Sequence, residues 1–313
     1  MRRLLVKSLQ NNLMSKLVLI DGHAILHRAF HALPPLTTKT GEPINAVYGL
    51  VSMLLRVITD LNPTHIAVCF DVKTPTFRHK EFKNYQAQRP PMADELSCQI
   101  EKAKTVVSAF GVPVFEKAGY EADDVIGTIA IRGQSLELSE IVIVTGDRDL
   151  LQLVNDKVKL YMPLLGLSTA RLYGPTEAKE KMGVSPDLIP DYKALVGDPS
   201  DNYTGVAGIG PKTAITLLEK YGSVEGIYKH LKGIPEKLRE KLILGEASAR
   251  MSHRLATIVK DVPVKFNLEA CGQWKVDSQK VLDLFARFGF KTLTERVKKV
   301  GKELDQAKQM TLI

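Results

Sequence analysis

Short apolar, β-branched runs alternate with longer stretches of helical periodicity through the first half of the chain. KLVLIDGH (16–23), HIAVCFD (65–71) and EIVIVTGDRD (140–149) each read as a strand ending in aspartate, and GVPVFEKAGY (111–120) holds a further strand-like run. Between them the spacing of apolar residues predicts helices around 46–61, 93–110 and 123–132. Strands alternating with helices predict an α/β fold with a parallel sheet, and ligands of such sheets sit beyond the carboxyl ends of the strands. From about Asp187 the pattern turns helical, with no repeat or low-complexity tract. The last dozen residues are polar and are expected to be loosely held.

One helix start carries an unusual charge pattern. In GYEADDVIGTIAIRG (119–133), Glu121, Asp123 and Asp124 precede an inward stripe of Val125, Ile126, Ile129 and Ala130. A helix N-terminus favours acids by about 0.3–1 kcal/mol each, which accounts for one or two of them but not a clustered trio. If the acids share a pocket, each close pair repels by about 3 kcal/mol at ~5 Å and an effective dielectric near 20. Other segments bring more acids to the same edge. Asp21, Asp71, Asp147 and Asp149 end the strand-like runs, and LVGDPSDN adds Asp198 and Asp201. A lone aspartate is more often a cap or turn residue, but five acid-bearing segments at one edge require cations. Oxygen ligands with no cysteine or histidine among them suit Mg²⁺ or Mn²⁺ rather than zinc. Two such ions about 3.5–4 Å apart would stabilise the attacking and leaving oxygens of a phosphodiester. His23, His27 and His31 read as one polar helix face and are not taken as ligands.

Composition sharpens this picture. The 313 residues are enough for a large core and about two domains, and the net charge of +8 favours a polyanionic partner. Cys69, Cys98 and Cys271 lack metal-site spacing and fit a reducing cytosol. No apolar run is long enough for a membrane span, and MRRLLVKSLQNNLMSK is a poor signal peptide. Residues 1–15 read as an N-terminal extension, with Met14 an alternative start.

GVAGIGPKTAITLLEKYG (205–222) is not a nucleotide loop, because Pro211 separates Gly210 from Lys212. Pro211 suits a helix's first turn, with Ala214, Leu217 and Leu218 as its apolar face. The exposed N–H groups before that helix can hold a nucleic-acid phosphate, with Lys212 beside them.

Five motifs in order, LIDGHAILHRAFHALPPL, FDVKTPTFRHKEF, YEADDVIG, VTGDRDLLQLV and LVGDPSDNYTGVAGIGPKTA, resemble the 5′ nuclease family. That family comprises the 5′→3′ exonuclease domain of bacterial DNA polymerase I and the flap endonucleases. The resemblance runs from Lys16 to about Val300. It implies a PIN-like catalytic core over 16–186 with a helical arch at about 72–105. A helical DNA-binding subdomain with a helix–three-turn–helix (helix-hairpin-helix type) element would follow over 187–300, and a flexible tail over 301–313. It further implies metal-dependent cleavage near a 5′-flap junction, leaving a 5′-phosphate and a 3′-hydroxyl. Asp21, Asp71, Glu121, Asp123, Asp124, Asp147, Asp149, Asp198 and Asp201 match the family's metal-site acids. Gly208, Gly210 and Lys212 match its duplex-gripping turn, where the family also holds K⁺, and Arg28, Arg78 and Arg89 match basic residues that face phosphates.

One departure stands in the arch, where Tyr-Lys-x-x-Arg is usual and this chain has YQAQR (85–89). Gln86 replaces a phosphate-polarising lysine, and Lys83, one helical turn earlier, is the candidate to compensate beside Arg78 and Arg89. QMTLI (309–313) resembles the peptide by which bacterial replication proteins dock on the sliding clamp, through Gln309, Leu312 and Ile313. No polymerase region is present, which reads as a free-standing nuclease or an excised fragment. The expectation is thus a monomeric, Mg²⁺-dependent 5′ nuclease of the bacterial cytoplasm and nucleoid, with no membrane contact. Its substrates would be DNA with 5′ flaps, nicks or RNA primers, in primer removal and repair. The alternatives are a PIN-type ribonuclease and a non-catalytic DNA-binding or clamp-adaptor protein.

Overall fold

The computed structural model describes residues 15–164 and 169–311. Its six strands are β1 Lys16–Asp21, β2 His65–Cys69, β3 Val114–Phe115, β4 Glu140–Val144, β5 Val158–Pro163 and β6 Ala170–Tyr173. They form one sheet in the order β3-β2-β1-β4-β5-β6, parallel throughout except for the β5–β6 pair. The helices of the first half are α1 Gly22–Ala32, α2 Asn45–Leu61, α3 Phe77–Glu81, α4 Asp94–Ser97, α5 Ile100–Ala109 and α6 Ala122–Gln134. The second half adds α7 Pro175–Met182, α8 Ile189–Val196, α9 Pro211–Tyr221, α10 Val224–Lys229, α11 Glu236–Ala256, α12 Leu268–Cys271, α13 Gln279–Phe288 and α14 Lys291–Thr311. The strands inferred at the start of the chain are present, and β5 and β6 extend the expected sheet.

The continuous apolar runs are explained by burial on both faces of the sheet. Val18, Ile20, Ile66, Val68, Val142 and Val144 point to one side, into a core shared with α1, α2 and α5. Leu17, Leu19, Ala67, Cys69, Ile141 and Ile143 alternate to the other side, against α6 and α8. Central β1 has β2 on one flank and β4 on the other. The winding therefore reverses beside β1, and a crevice opens at the carboxyl ends of β1, β2 and β4.

The helical second half, expected over 187–300, packs against both faces of the sheet. Residues of α8 to α11 pack into the core under α6, whereas Val281, Phe285, Leu293, Val297 and Val300 cross to the α2 and α5 side. The cause is the i, i+4 apolar stripe of α13 and α14, which covers the face that α2 and α5 leave open. Of the tail expected over 301–313, residues 301–311 continue α14, which runs to Thr311. GKELDQAK is polar but rich in helix formers, and polarity there makes a solvated helix rather than a coil. Of the expected extension, residues 1–14 lie outside the described residues. Ser15 already belongs to the core, where its carbonyl accepts from the Ser139 N–H at 2.8 Å. Among the described residues no helix is long and apolar enough to cross a membrane.

Candidate active site

Four acids meet at the crevice. Asp21 ends β1 and caps α1, accepting from the Ala24 N–H at 3.0 Å and from the Thr145 hydroxyl at 2.8 Å. Asp71, just past β2, accepts from the Ala122 N–H at 2.7 Å and so ties the start of α6 to the sheet edge. Asp147, past β4, accepts from the Asp149 N–H at 2.8 Å. Asp123 comes from the first turn of α6. Among the described residues none of these four forms an ion pair with lysine or arginine. Burial, with the charges of Asp71 and Asp147, raises Asp21 to about 7. Burial, then Asp147, Asp21, Asp71 and Glu121, lifts Asp123 well above the usual carboxylate range. His23 Nδ1 accepts from the Asp71 N–H at 3.0 Å, and burial lowers its pKa against the pull of Asp71, so the ring is a neutral support.

The second group is built differently. Asp198 and Asp201 lie on a tight loop closed by reciprocal backbone bonds between Asp198 and Tyr203, at 2.8 and 3.1 Å. Gly197 makes the loop feasible: its φ is +80°, and a Cβ there would lie 2.5 Å from the Thr204 backbone. Oxygens of Asp149, Asp198 and Asp201 converge within 4.8 Å of one another. Here cations are already present. The Lys193 ammonium, on α8, donates to both Asp149 and Asp198, and Arg89 donates to Asp201 at 2.6 Å. Burial raises Asp149 to about 6 although Lys193 opposes it. Asp198 is buried too, yet Lys193 and Ser200 hold its pKa below the ordinary value.

The acidic trio at the head of α6 is split by the fold. Glu121 caps the helix and Asp124 reciprocates, accepting from the Glu121 N–H at 3.1 Å. Asp124 then turns inward to Arg78, in a two-pronged pair at 2.7 and 2.8 Å, and accepts from the Val259 N–H at 2.9 Å. Only Asp123 is left for the four-acid group. Glu121 stands between, raised to about 7 by burial against the opposing charge of Arg78. Arg78 is a correction to the sequence reading. It is 2 % exposed, and its remaining donors bond the Leu255 and Thr257 carbonyls at 2.8 and 3.1 Å. A guanidinium so used cannot face a substrate phosphate; it clamps α6 to the end of α11.

The expected arch is a short α3 followed by successive turns, laid against the Asp201 loop. The Gln86 N–H donates to the Asp201 carbonyl at 3.1 Å and its side-chain amide to the carboxylate at 3.2 Å, with φ at +56°. Asn202 donates to the Asn84 carbonyl at 2.8 Å. Lys83 is therefore exposed and lies on no helix, and the one-turn relation to Gln86 that would let it compensate does not exist. The left-handed turn at Gln86, fixed by the Asp201 loop, is the physical reason. Arg89 keeps half its side chain in solvent beside Asp201 and remains placed to meet an anion.

Four residues near these sites were missed in the sequence. Tyr85 donates to Glu121 or Asp201 at 3.3 and 3.2 Å, Thr145 supports Asp21, Tyr203 lines the Asp201 loop and Lys193 joins two acids. Lys193 alone had a signal: a lysine inside the apolar run IPDYKALV must find a buried partner.

The glycine turn follows the Asp198–Tyr203 loop, and its Val206 N–H donates to the Leu195 carbonyl at 2.9 Å. Pro211 opens α9, whose buried side is Ala214, Leu217 and Leu218 as expected. Val206 and Ile209 anchor the turn while Gly208, Gly210 and Lys212 face solvent, and Lys241 of α11 donates to the Gly208 carbonyl at 3.1 Å. Arg28 donates to the Leu164 carbonyl at 2.7 Å, near Gly146. Gln309 is an exposed residue of α14, and Leu312 and Ile313 lie outside the described residues.

A doubly wound sheet with oxygen-only acids at its switch point, unpaired with lysine or arginine among the described residues, defines an α/β protein whose crevice fits hard divalent ions. Comparison with known proteins narrows this class. Residues 16–183 match the family model of the 5′-3′ exonuclease N-terminal, resolvase-like domain, and residues 184–279 that of the 5′-3′ exonuclease C-terminal SAM fold. The chain belongs to the 5′-3′ exonuclease family, whose members are nucleases that hydrolyse DNA. It is 43 % identical over 284 residues to DNA polymerase I of Caldicellulosiruptor bescii, covering 90 % of this chain and 33 % of the relative. It is 39 % identical over 292 residues to DNA polymerase I of Bacillus subtilis, covering 93 % and 33 %. The chain thus spans about a third of the length of the curated relatives it matches. Its fold resembles zinc-bound T5 5′-exonuclease (TM-score 0.64, 20 % identity, covering 91 % of this chain and 98 % of that one). It also resembles flap endonuclease-1 from Methanococcus jannaschii (TM-score 0.60, 19 % identity, 95 % of each).

Proposed function

We propose that this chain is a structure-selective 5′ nuclease that uses Mg²⁺ or Mn²⁺ to hydrolyse DNA at 5′ flaps, nicks and RNA-primer junctions. One observation carries the reading: buried Asp21 and part-buried Asp71, Asp123 and Asp147 meet at the switch point of the sheet, and among the described residues no lysine or arginine pairs with them. Asp21, Asp71, Asp123 and Asp147 would hold one ion. Asp149, Asp198 and Asp201 would hold a second, with Glu121 between the two groups. Bound divalent ions supply a more acidic water and neutralise charge on the phosphate. The chain's own residues do the rest. Thr145 and the N–H groups of Ala24 and Ala122 aim the carboxylates, Asp124 and Arg78 fix the helix that carries Asp123, and Arg89 meets the phosphate. The N–H groups at Gly208 and Gly210, with Lys212, grip the duplex backbone. A K⁺ ion at that turn would share the Gly208 carbonyl with Lys241. Gln309, Leu312 and Ile313 are the candidate clamp contact, and the protein would act as a monomer.

The test is a flap-labelled 5′-flap duplex incubated with protein and Mg²⁺, beside EDTA and Asp147→Ala controls. Junction cleavage lost in both controls is the expected result. Salt-sensitive binding without metal-dependent cleavage would leave a DNA-binding adaptor, and cleavage confined to RNA a ribonuclease.

A further inference from the structure

The three acids whose oxygens converge most closely, Asp149, Asp198 and Asp201, are also those that already carry protein cations. Lys193 is the more telling of the two cations. Its side chain is 9 % exposed, it rises from the buried side of α8, and its ammonium donates to one oxygen of Asp149 and one of Asp198. An ammonium between two converging carboxylates occupies the position a small hard cation would take. Burial opposes its charge, but Asp149 and Asp198 outweigh burial and raise its pKa, so it stays charged.

A second observation points to the same place. The Tyr203 hydroxyl is the one buried side-chain polar atom without a hydrogen-bond partner among the described residues, in a residue 4 % exposed. The charges acting on it are those of Lys193, Asp149, Asp198 and Asp201. A phenolic oxygen accepts as well as donates, so it can take a hydrogen bond from an ammonium that has left its carboxylates. Without such an acceptor a displaced Lys193 would be a stranded buried charge.

We propose that Lys193 is the resident cation of the Asp149–Asp198–Asp201 subsite, and that a divalent ion enters there only by displacing its ammonium onto the Tyr203 hydroxyl. The protein at rest then holds one ion tightly, among Asp21, Asp71, Asp123 and Asp147, and takes a second only weakly. This rests on the reading of the acids as a metal centre.

The experiment is a Mn²⁺ titration of the full chain without DNA, with free Mn²⁺ followed by its electron paramagnetic resonance signal. The wild type is expected to bind one ion tightly and a second about ten-fold or more weakly. Lys193→Met, and Lys193→Gln as an independent neutral variant, should tighten the second site by about ten-fold or more and leave the first unchanged. Tyr203→Phe should weaken the second site alone. Circular dichroism melts establish that each variant is folded. Two equal sites in the wild type, or a second constant indifferent to both Lys193 variants, would overturn the assignment of Lys193. A second constant unchanged in Tyr203→Phe would overturn that of Tyr203. Absence of Mn²⁺ uptake by every variant would sink the metal-centre reading itself, a failure distinct from the others.

Discussion

The two halves of the acidic crevice use the same residue type and reach opposite electrostatic states. Around Asp21, Asp71, Asp123 and Asp147 the partners are neutral: a threonine hydroxyl, backbone N–H groups and an uncharged histidine. There burial and the neighbouring carboxylates make Asp21 and Asp123 hold protons far above their ordinary range. Around Asp149, Asp198, Asp201 and Asp124 the fold has inserted Lys193, Arg89 and Arg78. Charge count alone therefore does not predict cation demand. What matters is whether the tertiary fold has already supplied a counter-charge. An external cation gains most in the unneutralised half, and in the other it must compete with one that is covalently tethered.

The largest expected effect removes an acid from the unneutralised half. Asp147→Ala should lower flap cleavage by about 10²–10³-fold or more and abolish tight Mn²⁺ binding. Asp198→Ala, in the neutralised half, should instead leave the tight ion in place. If the two variants lost the tight ion equally, the contrast between the halves would be void.

Next in size is a stability effect. Arg78→Met leaves Asp124 buried and unpaired, so chemical denaturation should report a loss of about 3–5 kcal/mol. A variant that melted like the wild type but cleaved slowly would return Arg78 to a role at the phosphate.

A pH dependence follows from the raised acids. Asp21 and Glu121 sit near 7 and Asp149 near 6 in the fold, against about 4 in an unfolded chain. Between about pH 4 and 7 the folded state thus binds more protons than the unfolded one, and this contribution to stability falls as pH rises. In EDTA the melting temperature should be lower at pH 8 than at pH 5, and Mn²⁺ at pH 8 should restore it. A metal-free melting temperature that rose over this interval would contradict the raised state of these three acids.

The smallest effect is expected at Lys83. An exposed residue off any helix has no fixed path to the phosphate, and Lys83→Ala should leave cleavage within about two-fold, as measured on the same flap substrate.

The contrast between the halves also separates what was legible in the sequence. Strands ending at Asp21, near Asp71 and before Asp147 were visible because a short apolar, β-branched run and a terminal acid are local patterns. The helix at Pro211 was visible for the same reason. Long ordered motifs made the family legible, and the convergence of acids followed from the topology that β-α alternation implies. The pairing of acids with cations was not visible. Arg78 and Asp124 are 46 residues apart, and Lys193 and Asp149 are 44 apart. Nothing in the local pattern of either partner says which will meet. The turn at Gln86 was hidden for a related reason: helical spacing from Lys83 is sound locally, but hydrogen bonds from Gln86 to the distant Asp201 loop turned the backbone left-handed. Periodicity and capping act within a few residues and can be read along the chain. Charge compensation acts through space between segments that only the packed fold brings together, so the structure alone decided which acids remain in need of a cation.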